Sequence, residues 1–379
     1  MNWRWHKRVS AHLMRVVTVM LVAALAGGFL LVFYQDYVSA AGAVSITRQS
    51  SPSANAAVTP DGDDNGFETN PTYAYADGTP GLAVDTDSGD AVNSVATDIG
   101  TDKHNYSGYG MDIIPDGSTI LGITVRADIA VDSLTNAPFT AIRLSWDGGT
   151  TWTAVISITL TVAVTETTYT YGGPANDWGH AWSASELTDA NFRVQVINGD
   201  TKNQNSIRDF SLDWIPVSIT FTAPWESYSD SGHSTQTDDF FDSTNHVYME
   251  GTGFPNGNYD VGYYDGTVAG GGTWVATDEN ITVSTGTLNS EYLLTNDQTA
   301  TPGTWHALAQ PASATPLDSS YATAVADPDG YELLANDSFT VQPSAIPEFP
   351  TVMAGIMVAG LCFGIYYWMR KRRLAYVKA

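Results

Sequence analysis

The chain has 379 residues, a formal net charge of −25 at pH 7 and a single cysteine, Cys362, which excludes any intrachain disulfide and any thiolate zinc site. The charge is unevenly spread: residues 41–346 carry seven Lys and Arg against 39 Asp and Glu, a net charge near −32. A body that acidic excludes nucleic acid as a partner, because phosphate binding needs a cationic surface.

Residues 1–40 come first. Arg4, Lys7, Arg8 and Arg15 precede an apolar run from Val16 to Tyr34, and Val38-Ser39-Ala40 offers the small residues a signal peptidase accepts. The segment reads as a signal peptide cleaved after Ala40 or, since the run is long, as an uncleaved signal anchor. Either way residues 41–346 are exported, and roughly 300 residues are enough for two domains built on ordinary core burial.

The exported part is predicted to be all-β, as two β-sandwich domains. Helix signals are nearly absent, and β-branched or alternating runs recur between Gly, Asn and Asp turns. Strands are expected at Ile120 to Ile129, Thr140 to Trp146, Ala154 to Val164, Asn191 to Ile197 and Leu212 to Phe221. In Phe192-Arg193-Val194-Gln195-Val196 the alternation marks a sheet with one buried face. This pattern favours a jelly-roll-like sandwich over residues 44–222.

Thr222-Ala223-Pro224 marks a boundary. Beyond it, about seven shorter strands are expected: His246 to Glu250, Tyr259 to Tyr264, Thr273 to Ala276, Ile281 to Ser284, Glu291 to Leu294, Thr304 to Leu308 and Asp337 to Val341. Residues 223–342 therefore read as an immunoglobulin-like sandwich. Gln310 to Pro328, rich in Pro, Ala and Ser, reads as a long exposed loop.

Within the first domain, Ser145-Trp146-Asp147-Gly148-Gly149-Thr150-Thr151-Trp152 matches the Asp-box pattern S-x-D-x-G-x-T-W. Asp147 would bond turn amides, the glycines Gly148 and Gly149 would allow the tight backbone, and Ser145, Thr151 and Trp152 would complete a structural hairpin. Gly270 to Trp274 is a faint echo of it. Asp61, Asp63 and Asn65, followed by Gly66, fit the first half of a calcium loop, but its twelfth position is Thr72, which cannot ligate as a bidentate carboxylate. Asp85/Asp87/Asp90 and Asp238/Asp239/Asp242 are weaker acidic loops. No cofactor other than calcium is indicated.

Trp178, Trp182, Tyr106 and Tyr109, with Tyr73 and Tyr75, are candidates for stacking on a sugar ring if exposed, or for core packing if not. Asn105, Asn280 and Asn336 begin Asn-x-Ser/Thr sequons. Signals for catalysis are lacking: there is no G-x-S-x-G, no H-E-x-x-H, and His104, His180, His233, His246 and His306 show no ligand spacing. The chain reads as a non-enzymatic surface protein with a structural, adhesive or display role, or else as a carbohydrate-binding surface module. A surface glycosidase is the third reading.

Three pieces of the first domain resemble a β-sandwich module of phage, bacterial and archaeal surface proteins: Ile113 to Ile120, Leu144 to Trp152, and Asp177-Trp178-Gly179 with Trp182. Related modules look like carbohydrate-binding jelly rolls, so the resemblance implies a fold rather than an activity.

The tail closes the chain. After the stalk of residues 343–350 come 19 uncharged residues, Thr351 to Met369, which as a helix span roughly 28 Å. Tyr366, Tyr367 and Trp368 sit at their C-terminal edge, and Arg370-Lys371-Arg372-Arg373 opens a basic tail of residues 370–379. By the positive-inside rule the basic end is cytoplasmic, which puts the body on the outer face of the cell membrane, held by one membrane-spanning helix. Pro347-Glu348-Phe349-Pro350 placed before such a helix resembles the PEF-CTERM tails of archaeal and some bacterial surface proteins. That resemblance implies processing by a sortase-like transpeptidase of the archaeosortase or exosortase type; the display role read for the exported body would take a glycan or another surface protein as ligand. A plain single-pass anchor with a Pro-rich stalk is the alternative.

Overall fold

A computed structural model of the chain describes residues 42–58, 66–78, 81–88, 102–200, 208–237, 239–241, 246–265, 273–294, 303–314, 316–317, 321, 332–342 and 367. Residues 42–379 form one unit, separate from residues 1–41. The head, the calcium-loop residues Asp61, Asp63 and Asn65, and the motif Pro347-Glu348-Phe349-Pro350 lie outside the described residues. Among the described residues no helix is long and apolar enough to cross a membrane. Of the apolar tail only Tyr367 is described, as helical and exposed.

The described chain is all-β, with antiparallel sheets packed in pairs. One sheet of the first sandwich orders β2 (Ile46–Ser50), β12 (Val217–Thr222), β6 (Thr119–Val131), β11 (Arg208–Trp214) and β4 (Ala83–Ser88), with β9 (Thr167–Gly172) on the other edge of β6. The facing sheet orders β3 (Ala54–Ala57), β5 (Asp102–Ser107), β10 (Arg193–Gly199), β7 (Phe139–Ser145) and β8 (Ile156–Thr159). Between them lie Ile123, Val125, Ile129, Ile142, Leu144, Val194, Val196, Leu212 and Ile219. The inward-pointing positions alternate along each strand, as the pleat requires.

The sequence run Leu212 to Phe221 forms two strands, β11 and β12, that share β6 as partner. Pro216 divides them because it has no N–H to give to the ladder. Its carbonyl still accepts from Arg126 N at 3.1 Å, so the pairing continues across the break with a shifted register.

The second sandwich pairs a sheet of β13 (Trp225–Tyr228), β15 (His246–Thr252) and β18 (Thr287–Leu293) with one of β20 (Ala335–Gln342), β19 (Gly303–Pro311), β16 (Gly257–Asp265) and β17 (Thr273–Val283). The two expected strands around Thr273 and Ile281 are one bulged strand, β17. Trp225 spans the core, donating from Nε1 to the Ala307 carbonyl at 3.1 Å, and Tyr263 Oη meets Ser290 Oγ at 2.8 Å. The free edge of β20 carries β14 (Asp239–Phe241) in parallel and β1 (Gly42–Ala43) antiparallel.

β1 changes the domain plan. The chain's first described strand belongs to the second sandwich, so residues 44–222 are inserted between β1 and β13. The two sandwiches touch directly: Asp116 N donates to Gly253 O at 2.8 Å, and Arg48 meets Glu332 at 3.7 Å.

The segment after β19 corrects a sequence expectation. Leu317 and Tyr321 are each 1% exposed, so this stretch is not simply an exposed loop. Leu317 packs over Gly262, and Tyr321 stacks on His306 at 3.9 Å, so both rest on the outer face of the second sandwich.

Candidate functional site

The Asp-box hairpin joins β7 to β8. Asp147 Oδ1 accepts from Thr150 N at 3.0 Å, Thr151 N at 2.7 Å and Ser145 Oγ at 3.0 Å. Gly149 N donates to Ser145 Oγ at 2.9 Å, and Gly148 and Gly149 both take positive φ. The Thr151 hydrogen bonds, followed by those of Ser145 and Thr150, hold the Asp147 carboxyl below its ordinary range. Trp152 is half-buried; its indole N–H donates to Gly149 O at 2.9 Å and Arg143 lies over its ring at 4.8 Å. The hydrogen bonds of Ser145, Asp147 and Trp152 close the turn.

Sequence reading missed a second turn of this kind. Asp230 accepts from Gly232 N, Ser234 N, Ser234 Oγ and Thr235 N at 2.7 to 3.2 Å. Asp230-Ser231-Gly232-His233-Ser234 keeps the D-x-G-x-S/T spacing but lacks the flanking Ser and Trp, so only the central spacing could have revealed it. Trp274, in the expected echo, instead bonds Thr277 Oγ1 at 2.9 Å.

The proposed stacking platform is corrected. Trp178 is 5% exposed, Trp182 7%, Tyr106 0% and Tyr109 1%, so no ring face is free for a sugar. Each polar tip is spent internally: Trp178 Nε1 donates to Ile123 O, Trp182 Nε1 to Asp177 O, Tyr109 Oη to Ile215 O and Tyr106 Oη to Pro71 O. Burial pushes the Tyr106 and Tyr109 hydroxyls well above their ordinary pKa. These are core aromatics with satisfied N–H and O–H groups.

Beside them stands a half-buried ring absent from that set. Trp146 stacks on His180 at 3.9 Å with an interplanar angle of 10°, and Trp182 meets both rings edge-on. His180 Nε2 lies 3.2 Å from Glu186 Oε1. Burial raises the Glu186 pKa, but hydrogen bonds from Ser183 and His180 prevail and leave it below the ordinary range. The loop carrying His180 is fixed by the Ser183–Glu186 capping box.

The sequons separate. Asn280 is exposed and left-handed, with φ 58°. Asn336 is 2% exposed and donates to Tyr321 Oη at 2.8 Å, so the folded chain has no room for a glycan there. Asn105 is half-buried and accepts from Gln195 Nε2 at 2.8 Å, which engages its side chain in the sheet. Among the described residues no three His, Cys, Asp or Glu side chains are grouped to hold a metal.

No protein-family model and no curated protein matches the chain. Solved structures overlap it only slightly. A β-1,2-glucanase from Parabacteroides distasonis is 12% identical over 80% of this chain and 38% of its own, with a TM-score of 0.23. A truncated AlyQ with CBM32 and alginate lyase domains is 9% identical over 78% and 90%, with a TM-score of 0.23. The infectious bursal disease virus Gt strain structure is 7% identical over 46% and 32%, with a TM-score of 0.22. The chain spans about a third of the viral and glucanase chains, and overlaps this slight carry no argument.

Proposed function

We propose that the chain is an exported, non-enzymatic surface protein that displays its first sandwich and is tethered through its C-terminal tail. The observation that carries this reading is the β1–β20 pair. Gly42 lies opposite Ser338, and β20 ends at Gln342, four residues on, or ~13 Å along a strand. The chain thus enters and leaves the body at one sheet edge of the second sandwich. That arrangement suits a body tethered from one side, with the inserted first sandwich as the displayed part.

Strand order supports a finer reading of both halves. In the first sandwich, β4-β11-β6-β9 faces β5-β10-β7-β8, the alternation of a jelly roll with β11 and β12 as its last strand. In the second, β13-β15-β18 faces β14-β20-β19-β16-β17, an immunoglobulin-like order in which β14 runs parallel to the last strand. β20, the last described strand, ends at Gln342, five residues before Pro347, and the sequence reading takes residues 343–350 as the stalk on which a transpeptidase would reach Pro347-Glu348-Phe349-Pro350. A carbohydrate-binding role has one structural support, the half-buried Trp146 ring.

The test is protease shaving of intact cells followed by mass spectrometry of the mature C-terminus. Residues 42–342 are expected to be cut by external protease, and no peptide containing Arg370 to Ala379 is expected in the mature protein. Full protection from external protease overturns export. An intact basic tail leaves a plain anchor and removes the transpeptidase. Glycan-array binding that is lost in Trp146→Ala would assign the displayed sandwich to sugar binding.

A further inference from the structure

We propose that Asn280 carries an N-linked oligosaccharide, and that the fold selects it over the other two Asn-x-Ser/Thr sequons. The proposal rests on the export of residues 42–342 argued above, because sequon glycans belong to the surfaces of secreted chains.

The three sequons differ in where they stand in their sheets. Asn105 sits on β5 between Ala56 of β3 and Gln195 of β10. Asn336 sits on β20 opposite Leu308 of β19, and its carbonyl accepts the Val44 N–H from the other side. Both therefore have chain on either flank, and Asn336 Nδ2, the atom a sugar would take, already donates to Tyr321 Oη at 2.8 Å. Asn280 stands on β17, which among the described residues pairs with β16 and ends its sheet. Glu279, Asn280 and Thr282 are all exposed.

The local backbone lifts Asn280 out of the ladder. Tyr259 pairs with Ile281 and Val261 with Asp278, so Glu279 and Asn280 together face the single residue Asp260. This is a β-bulge, a device that re-aims side chains at a sheet edge. The Asn280 N–H is turned to the Asp260 carboxylate, 2.8 Å from Oδ1, at a φ of 58°. Asparagine accepts left-handed backbone more readily than most residues, so the bulge alone accounts for Asn at 280. The sequon also needs the hydroxyl at 282. Thr282 Oγ1 donates to Asn258 Oδ1 at 3.1 Å, an exposed bond of small net worth that a transferase can replace with its own.

The sugar donor is a lipid-linked oligosaccharide. The bond from Asn280 Nδ2 to the sugar C1 forms as the bond from C1 to the polyprenyl phosphate oxygen breaks. The lipid phosphate leaves, and the amide nitrogen gives one proton to the transferase's base. The product places a bulky polar group on an 11-residue strand at the end of its sheet, which blunts that edge.

The experiment is peptide mass spectrometry of the full-length chain isolated from the cells that make it, together with peptides shaved from intact cells by external protease. The peptide containing Asn280 is expected to carry added sugar mass, and those containing Asn105 and Asn336 none. Asn280→Gln and Thr282→Ala should each remove the added mass, and Thr282→Ser should keep it. A bare Asn280 peptide shaved from intact cells overturns the proposal and leaves export standing. Release of no peptide from residues 42–342 overturns export, and the glycan with it. Added mass that survives in Asn280→Gln places the sugar on a hydroxyl and overturns the assignment. Equal added mass on Asn336 overturns selection by the fold.

Discussion

Gly253 occupies the turn where the two sandwiches meet. Its φ is +76°, and a Cβ placed there would lie 2.0 Å from the Asp116 carbonyl oxygen. Gly253→Ala therefore combines a left-handed backbone penalty with a clash that must break the Asp116–Gly253 bond. The expected cost is roughly 2–4 kcal/mol, read as a lower denaturation midpoint. A loss under about 0.5 kcal/mol would show that the contact is dispensable. At this scale the sequence is legible only where the chemistry is local. The Asp-box could be read because Ser145, Asp147 and Gly149 act within one turn. The exposure of Trp146 and the burial of Trp178 could not. Trp178 turns left-handed, with φ 58°, in a local turn where its N–H donates to Asn176 Oδ1, but the Ile123 carbonyl that receives its indole N–H lies on a strand far away in sequence.

The stretch between β19 and β20 shows what a single element adds. Tyr321 lies flat on His306, which is 5% exposed, and Asn336 bonds Tyr321. Burial, opposed by the Asn336 hydrogen bond, lowers the His306 pKa to about 4. The folded chain thus favours neutral His306, and the stabilisation is complete above the ordinary value of 6.5. It is lost as pH falls from 6.5 toward 4, by on the order of 3 kcal/mol. Asp85 works in the opposite sense. Burial raises its pKa to about 6, so its contribution is present at low pH and declines as pH rises from 3.8 to 6. The comparison must therefore be between wild type and His306→Phe, which keeps the ring stack and removes the titration. The variant should lose less stability than wild type between pH 7 and pH 4 in thermal melts; parallel curves would contradict the argument. Apolar, alternating strands such as β6, β10 and β16 were legible from the sequence. β3 and β5 were not, because Ala54–Ala57 and Asp102–Ser107 carry little apolar alternation. Their polar groups are satisfied across strands, as in the Gln195–Asn105 bond, and that compensation is invisible in one strand alone. The Pro, Ala and Ser content after β19 likewise concealed Leu317 and Tyr321, two anchors separated by polar residues.

At the scale of the whole molecule, composition foretold an acidic β-rich body, but the insertion of one sandwich into the other was not legible. It rests on two residues, Gly42 and Ala43, which carry no strand signal and gain their place from the edge of β20. Backbone bonding extends one residue further, where Val44 N donates to Asn336 O at 2.8 Å. Val44→Pro removes that donor and leaves the carbonyl of a buried residue unmet, an expected cost of about 1–3 kcal/mol. The loss should be local. Hydrogen exchange should quicken in residues 335–342, next to β1, while β6 and β10 in the first sandwich keep their protection. If both sandwiches lost protection equally, β1 would be part of a single cooperative core rather than a clasp. A local effect would instead mean that β1 holds the chain's two ends together, so that pulling on the tail through Gln342 would load β20 against β1, β14 and β19 before it reached the displayed sandwich.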